Sequence, residues 1–225
     1  MANRQPSTAI GLQPISRLDT LFPHRARALR YLARPPDPPS VTLAPRPASA
    51  SRCEMTELVL PGITNSLGNL MGGHLLHMMD ICAAISAQRH SGHVCVTASV
   101  DNVDFHAPIK AGDVVVMESQ VNRSFRTSLE VEIHVWAENP RTGKRIKSNR
   151  AFYTFVALGP DGPLPVVPVL PETDEEHERF EGAARRRELR LVMAGRLALD
   201  DATHLMALLR ERLPAAVAPA SEDEA

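Results

Sequence analysis

The feature that most restricts this chain is an apolar run with one carboxylate inside it. After Gly73, the residues Leu75, Leu76, Met78, Met79, Ile81, Cys82, Ala83, Ala84, Ile85 and Ala87 recur so densely that a helix built from them has no polar stripe wide enough for a solvated face. The pattern predicts a helix over residues 72–90, wrapped by other structure on most sides, with a glycine pair at its mouth and Ser91-Gly92 at its end. Asp80 lies within it. An isolated buried charge is so unfavourable that Asp80 must be hydrogen-bonded, shifted in pKa or put to use.

What could wrap this helix is legible around it. Residues 54–60 read as a strand closed by Pro61-Gly62, and residues 94–103 alternate with period two. Further strands are predicted over 114–122, 127–137 and 146–158, separated by turn-forming stretches at 107–113 and 139–144. In the 127–137 segment Leu129, Val131, Ile133 and Val135 point one way and Glu130, Glu132, His134 and Trp136 the other, which predicts one buried and one wetter face. The order is strand, helix, then four strands in an antiparallel meander. This is an α+β fold in which an antiparallel sheet of five to six strands curls around one long central helix. Beyond Pro163 a charge-dense helix is predicted over 172–190 and another over 200–213, the latter with Leu205, Met206, Leu208, Leu209 and Leu213 as its apolar face. The domain division is a Pro/Arg-rich, poorly ordered extension over 1–51, the α+β domain over 52–170 and a C-terminal helical extension over 171–225.

Composition narrows the function classes. A net charge of −1 over 225 residues argues against bulk attraction to nucleic acid or membranes, and no run of about 18 apolar residues is present to span a bilayer. Three cysteines, Cys53, Cys82 and Cys95, lack metal-ligand spacing and read as reduced thiols of a cytoplasmic protein. The arginines of the first fifty residues leave two readings open, an organelle-targeting segment or a solvated extension, and the prolines at 35, 36, 38 and 39 favour the second. Among nine histidines, His74 and His77 lie one turn apart without a third ligand, so no metal is expected.

Several blocks then occur in order. They are Thr-Glu-Leu-Val-Leu-Pro at 56–61, Asn-x-x-Gly-Asn-x-x-Gly-Gly at 65–73 with Asp80, and Val-Thr-Ala-Ser-Val-Asp-x-Val-Asp-Phe at 96–105. Pro-Ile-Lys-Ala-Gly-Asp at 108–113, Thr-Ser-Leu-Glu-Val at 127–131 and Ala-Phe-Tyr-Thr-Phe-Val-Ala-Leu at 151–158 follow. Over residues 54–182 this series resembles the acyl-CoA thioesterases of the hotdog fold, in particular the cytosolic acyl-CoA hydrolase group. The resemblance implies hydrolysis of acyl-CoA to free acid and CoA without a cofactor, CoA being part of the substrate.

Thioester hydrolysis needs an activated water and donors aimed at the developing oxyanion. Asp80 stands where the family has its catalytic acid, and a desolvated carboxylate is a better base; without the family context, a backbone-bonding role for Asp80 remains open. Gly72 and Gly73 offer unhindered N–H groups at a helix N-terminus, suited to an oxyanion hole, although glycine there also permits close packing against a strand. Asn69 matches a position where some family members carry a catalytic asparagine. Arg126, Thr127 and Ser128, with Lys147, Ser148 and Arg150, are the expected contacts to CoA by their place in the family pattern. The helical stretch alone separates Asn69 from Asp80 by about 12 Å. A single site using both therefore has to be shared across a homodimer, which the family's paired domains also imply, with further assembly into a trimer of dimers. The rival readings are a dehydratase using His74 or His77, and a non-catalytic acyl-CoA-binding regulator. Trp136 is expected at an oligomer contact rather than as a substrate platform.

Overall fold

The computed structural model describes residues 44–101 and 103–213. The expected N-terminal extension therefore lies, up to residue 43, outside the described residues. Residues 46–51, which the sequence groups with it, join the folded part. Arg46–Pro47 forms β1, a 3-10 turn follows over Ala48–Ser51, and Ala48 and Ser51 are buried against the sheet.

The principal elements are β2 (Cys53–Leu58), α1 (Gly72–Ser91), β3 (Val94–Val100), β4 (Val114–Ser124), β5 (Ser128–Glu138) and β6 (Arg145–Gly159). The short strands β7 (Gly162–Pro163) and β8 (Val169–Leu170) follow, then α2 (Asp174–Met193) and α3 (Thr203–Arg212). The main sheet runs β2-β4-β5-β6-β3, with β7 on β6, and β1 pairs separately with β8. Every predicted strand is present, but the four-strand meander is not. Only β4, β5 and β6 are consecutive neighbours, and β3 pairs with β6 at the far edge. The reason is α1, which crosses under the sheet and delivers the chain to the opposite edge, so that the connection from β3 has to return before β4 begins.

Helix α1 ends where the sequence places its stop. Gly92 takes φ 73° as a left-handed cap and its N–H donates to the Gln88 carbonyl at 2.9 Å, a conformation that glycine adopts without Cβ strain. Met79, Cys82, Ala83 and Ala87 pack against Val115, Met117, Leu129, Val131, Ile133, Val135, Tyr153 and Phe155 in one core. Each large apolar side chain buried there contributes roughly 1.5–3 kcal/mol. The wrapping is one-sided, however. His74, His77, Ile81 and Gln88 are exposed and Leu76, Asp80 and Ala84 only half-buried, so the sheet of one chain leaves open a helix face on which the apolar Leu76, Ile81 and Ala84 stand among polar residues.

The face of β5 expected to be wetter is instead covered. Glu130 is fully buried and Glu132 is 1% exposed, because α2 lies across the outside of the sheet. Glu130 accepts from Arg186 Nη2 at 2.7 Å and Asn122 Nδ2 at 3.2 Å, with Arg190 Nη2 at 3.5 Å. Arg186 also lies 3.7 Å over the Phe152 ring. Helix α2 starts at Thr173, whose hydroxyl accepts from the Glu176 N–H at 3.2 Å while the Glu176 carboxylate accepts from the Glu172 N–H at 2.8 Å. Residues 171–176 (Pro-Glu-Thr-Asp-Glu-Glu) thus cap the helix, the Thr173 hydroxyl satisfying a first-turn N–H and the Glu176 carboxylate the N–H just before the cap.

Candidate active site

The open face of α1 forms one wall of a cleft of about 440 Å³ lined by Gly73, Leu76, His77, Asp80, Val100, Asp101, Val103 and Tyr153. Gly73, His77 and Asp80 recur at helical spacing on that face, and β3 and β6 supply the opposite wall.

At one end of this face the helix begins without a side-chain cap. Met71 is extended, and its carbonyl accepts from His74 and Leu75. Among the described residues no group accepts from the N–H of Gly72 or Gly73, so the positive end of the helix dipole is open. The two glycines differ in surroundings. A Cβ on Gly72 would stand 3.3 Å from the Phe105 ring, whereas nothing lies within 4 Å of one on Gly73. Close approach thus explains Gly72, by an aromatic side chain rather than by a strand, while Gly73 faces open space.

The loop before the helix is built around Asn65. Its Oδ1 accepts from the N–H of Leu67 at 2.9 Å and of Asn69 at 3.2 Å, and its own N–H donates to the Asn69 carbonyl at 2.8 Å. Leu70 and Ala111 tie this loop to the 109–111 segment through backbone bonds. Asn69 lies at the foot of the loop in an isolated bridge with Lys110, its side chain without a partner among the described residues.

Two helical turns along, Asp80 Oδ1 accepts from Thr97 Oγ1 at 2.6 Å. Asp80 is half-buried, not enclosed as its apolar neighbours predict, because it stands in the open cleft between α1 and the edge strand β3. Beside it stands Tyr153, 1% exposed. Burial, with the Asp80 charge adding, pushes the Tyr153 phenol up to about 12, so it is a neutral hydroxyl across the physiological range. Seven residues of helix separate Gly73 from Asp80, about 10 Å. One water cannot touch both within one chain.

The expected CoA contacts do not converge within the chain. Arg126, Thr127 and Ser128 lie where β5 begins, opposite Val156 and Ala157, whereas Lys147, Ser148 and Arg150 lie opposite Trp136 and His134 near the other end of the ladder. The six or so intervening residues span roughly 20 Å. Ser148 is buried and donates to the Ala107 carbonyl at 2.8 Å. Arg150 donates to Glu132 at 2.6 Å and lies 5.0 Å over the Phe152 ring. Lys147 is exposed. It borders a second cavity of about 410 Å³ on the outer face of the sheet, beside Trp136, which stacks on His134 at 5.7 Å. Among the described residues no group of three or more His, Cys, Asp and Glu is placed to hold a metal ion. Sequence reasoning had no role for Thr97, Tyr153 or Asn65; all three fall inside quoted blocks, but the first two look like ordinary strand residues and Asn65 like a turn residue.

Residues 67–144 match the family model described as the thioesterase superfamily. The chain is 39% identical over 158 residues to mouse acyl-coenzyme A thioesterase 11, covering 70% of this chain but only 27% of that protein. It is 40% identical to a solved apo-hexameric acyl-CoA thioesterase, covering 70% of this chain and 99% of the other with a TM-score of 0.65. Acyl-CoA hydrolase from Staphylococcus aureus, solved with butyryl coenzyme A, coenzyme A and coenzyme A disulfide, is 32% identical over 72% of this chain and 98% of its own, TM-score 0.63. That enzyme has also been solved with alanine in place of one aspartate, one threonine or one asparagine.

Proposed function

Because the chain belongs to the acyl-CoA hydrolases of the thioesterase superfamily, we propose that it hydrolyses acyl-CoA thioesters to the free acid and CoA. The observation that carries this reading is the open face of α1, which presents uncapped glycine N–H groups at one end and the Asp80–Thr97 pair at the other. Asp80 removes a proton from water, the hydroxide adds to the thioester carbonyl, and the Gly72 and Gly73 N–H groups hold the resulting oxyanion. Collapse breaks the C–S bond, and the CoA thiolate takes up the proton. Thr97 fixes the carboxylate by its hydrogen bond, leaving the other oxygen for water.

The asparagine of this reading is Asn65 rather than Asn69. In the S. aureus hydrolase the substituted asparagine precedes the substituted aspartate by 15 residues and the threonine follows it by 17. Asn65, Asp80 and Thr97 have the same three residue types at the same separations. Asn65 Oδ1 shapes the loop, so its amide NH₂ remains as the donor for the thioester oxygen or for the water.

The site is completed by a second copy. Two features support this: the distance from Gly73 to Asp80, and the edge strand β3, where Val94 is 63% exposed and Val96 and Val100 are also exposed. An apolar edge left unpaired invites another strand. Pairing two chains there brings Asp80 of each near the glycine end of the other and covers Ile81. A hexamer built from such dimers accords with the hexameric relative. Between subunits, the exposed Lys147 and Arg126, with Thr127 and Ser128, are the proposed contacts to CoA phosphates. CoA is part of the substrate and no separate cofactor is required. A cytosolic location belongs to the same reading and is supported by three buried free cysteines.

His77, one turn before Asp80 in the cleft, is the residue a dehydratase would use. Purified protein given a panel of acyl-CoAs and a thiol reagent decides the matter. Hydrolysis releases free CoA over many turnovers, whereas a dehydratase or a ligand-binding regulator releases none.

A further inference from the structure

We propose that Arg190 of α2 is a positioning residue for this cleft, clamping Asp101 and thereby fixing residues 103–107, which wall the N-terminal end of α1. The inference rests on reading the cleft as the thioesterase site. Strand β3 ends at Val100, and Asp101 keeps one ladder bond, its N–H donating to the Phe152 carbonyl at 2.9 Å. Asp101 is one of the residues lining the cleft, and its Oδ2 is held by Arg190 Nη1 at 2.6 Å. Beyond it Val103 lines the same cleft, and Phe105 lays its ring against Gly72.

The far end of the segment is pinned from β6. Asn149 Nδ2 donates to the Asp104 carbonyl at 2.7 Å, the His106 N–H to the Ser148 carbonyl at 3.2 Å, and Ser148 Oγ to the Ala107 carbonyl at 2.8 Å. At the near end, the backbone bond of Asp101 and the Arg190 clamp do the equivalent work. Burial raises the Asp101 carboxyl above its usual range, and the Arg190 guanidinium opposes that rise. Docking of α2 does not depend on the Asp101 contact, because Arg186 holds Glu130 at 2.7 Å, and the longer Arg190–Glu130 contact at 3.5 Å is untouched in Asp101→Asn. Arg190 touches neither Asp80, Thr97 nor the glycines. Its loss should therefore loosen the wall that meets substrate and spare the chemical step.

The test uses the full chain with Arg190→Ala, Arg190→Lys, Asp101→Asn and, as a control on the same helix, Arg179→Ala. Steady-state kinetics with an acyl-CoA are read alongside hydrogen exchange of the 103–107 amides. Arg190→Ala should raise KM about fivefold to tenfold with kcat within about twofold, a size usual for one member of a salt-bridge network. It should also speed exchange at 103–107. Asp101→Asn should reproduce both effects, which guards against mere unfolding of α2, and Arg190→Lys should recover most of each. Unchanged exchange at 103–107 in Arg190→Ala, or equal effects from Arg179→Ala, would overturn the clamp. If the unmodified protein releases no CoA from any acyl-CoA, the thioesterase reading fails, and the exchange comparison still decides whether Arg190 holds the segment.

Discussion

In the proposed reaction Asp80 and Thr97 would act as a pair in activating water, the carboxylate accepting the proton and the hydroxyl, which donates to Asp80 Oδ1 at 2.6 Å, fixing which way the carboxylate points. Asp80→Ala should lower kcat by about 10²- to 10⁴-fold, the range of a lost general base. Thr97→Ala should cost less, because the base survives with freer rotation. Asn65→Ala should cost more activity than Asn69→Ala, and kinetics of the two variants side by side would reverse the assignment if the order were inverted. Gly73→Ala separates chemistry from folding. Open space around the added methyl and the higher helix propensity of alanine predict an unchanged or slightly higher melting temperature, while the methyl crowds the N–H groups and lowers kcat. The sequence exposes Asp80 because a carboxylate in an apolar run contradicts its surroundings. Thr97 and Tyr153 carry no such signal, since threonine and tyrosine are ordinary strand residues whose partner is set by tertiary contact.

Among the elements, α1 and the strands are legible because their periodicities are strong, and α1 is found within one residue of its predicted ends. Pairing is less legible. Period-two alternation marks β3 as a strand but says nothing of its neighbour, and only the crossing of α1 sends it to β6 rather than β4. Glu130 and Glu132 mislead for a related reason. Their alternation with leucine and valine reads as a wet face until a helix more than forty residues later covers them with arginines. Removing one partner of such a buried pair leaves an uncompensated charge. Arg186→Ala should therefore destabilise the protein by about 3 kcal/mol in chemical denaturation, far more than a surface ion pair would.

The same layer sets an acid limit. Burial alone would raise the Glu132 carboxyl, but the His134 contact at 2.8 Å and the Arg150 guanidinium outweigh it and hold it at about 2, below its ordinary 4.5. Because the folded pKa is the lower one, this stabilisation is complete above about pH 4.5 and lost as pH falls toward 2. Urea unfolding across that window should show the loss in the unmodified protein and a smaller one in Glu132→Gln.

For the molecule as a whole, the proposed site asks for a second copy of the chain. Its central helix is packed on one side, its edge strand shows valines to solvent, and the two halves of its chemistry lie about 10 Å apart. A twofold pairing would repair all three defects at once, since an isologous interface sets each half-site against the complementary half of its partner. The sequence hints at a partner through the apolar Leu76, Ile81 and Ala84 that stand among the polar residues of the open face, although the identity of the covering surface depends on the sheet order.

The most direct measurement is complementation between two inactive chains. Asp80→Ala and Asn65→Ala chains with different tags are co-expressed, purified as demonstrated heterodimers, and assayed for CoA release against each homodimer. A shared site predicts that the homodimers are nearly inactive, while each heterodimer holds one intact and one doubly damaged site and recovers about half the normal rate. Heterodimers as inactive as their parents would contradict the shared site and with it the account of this fold as two interlocking half-sites.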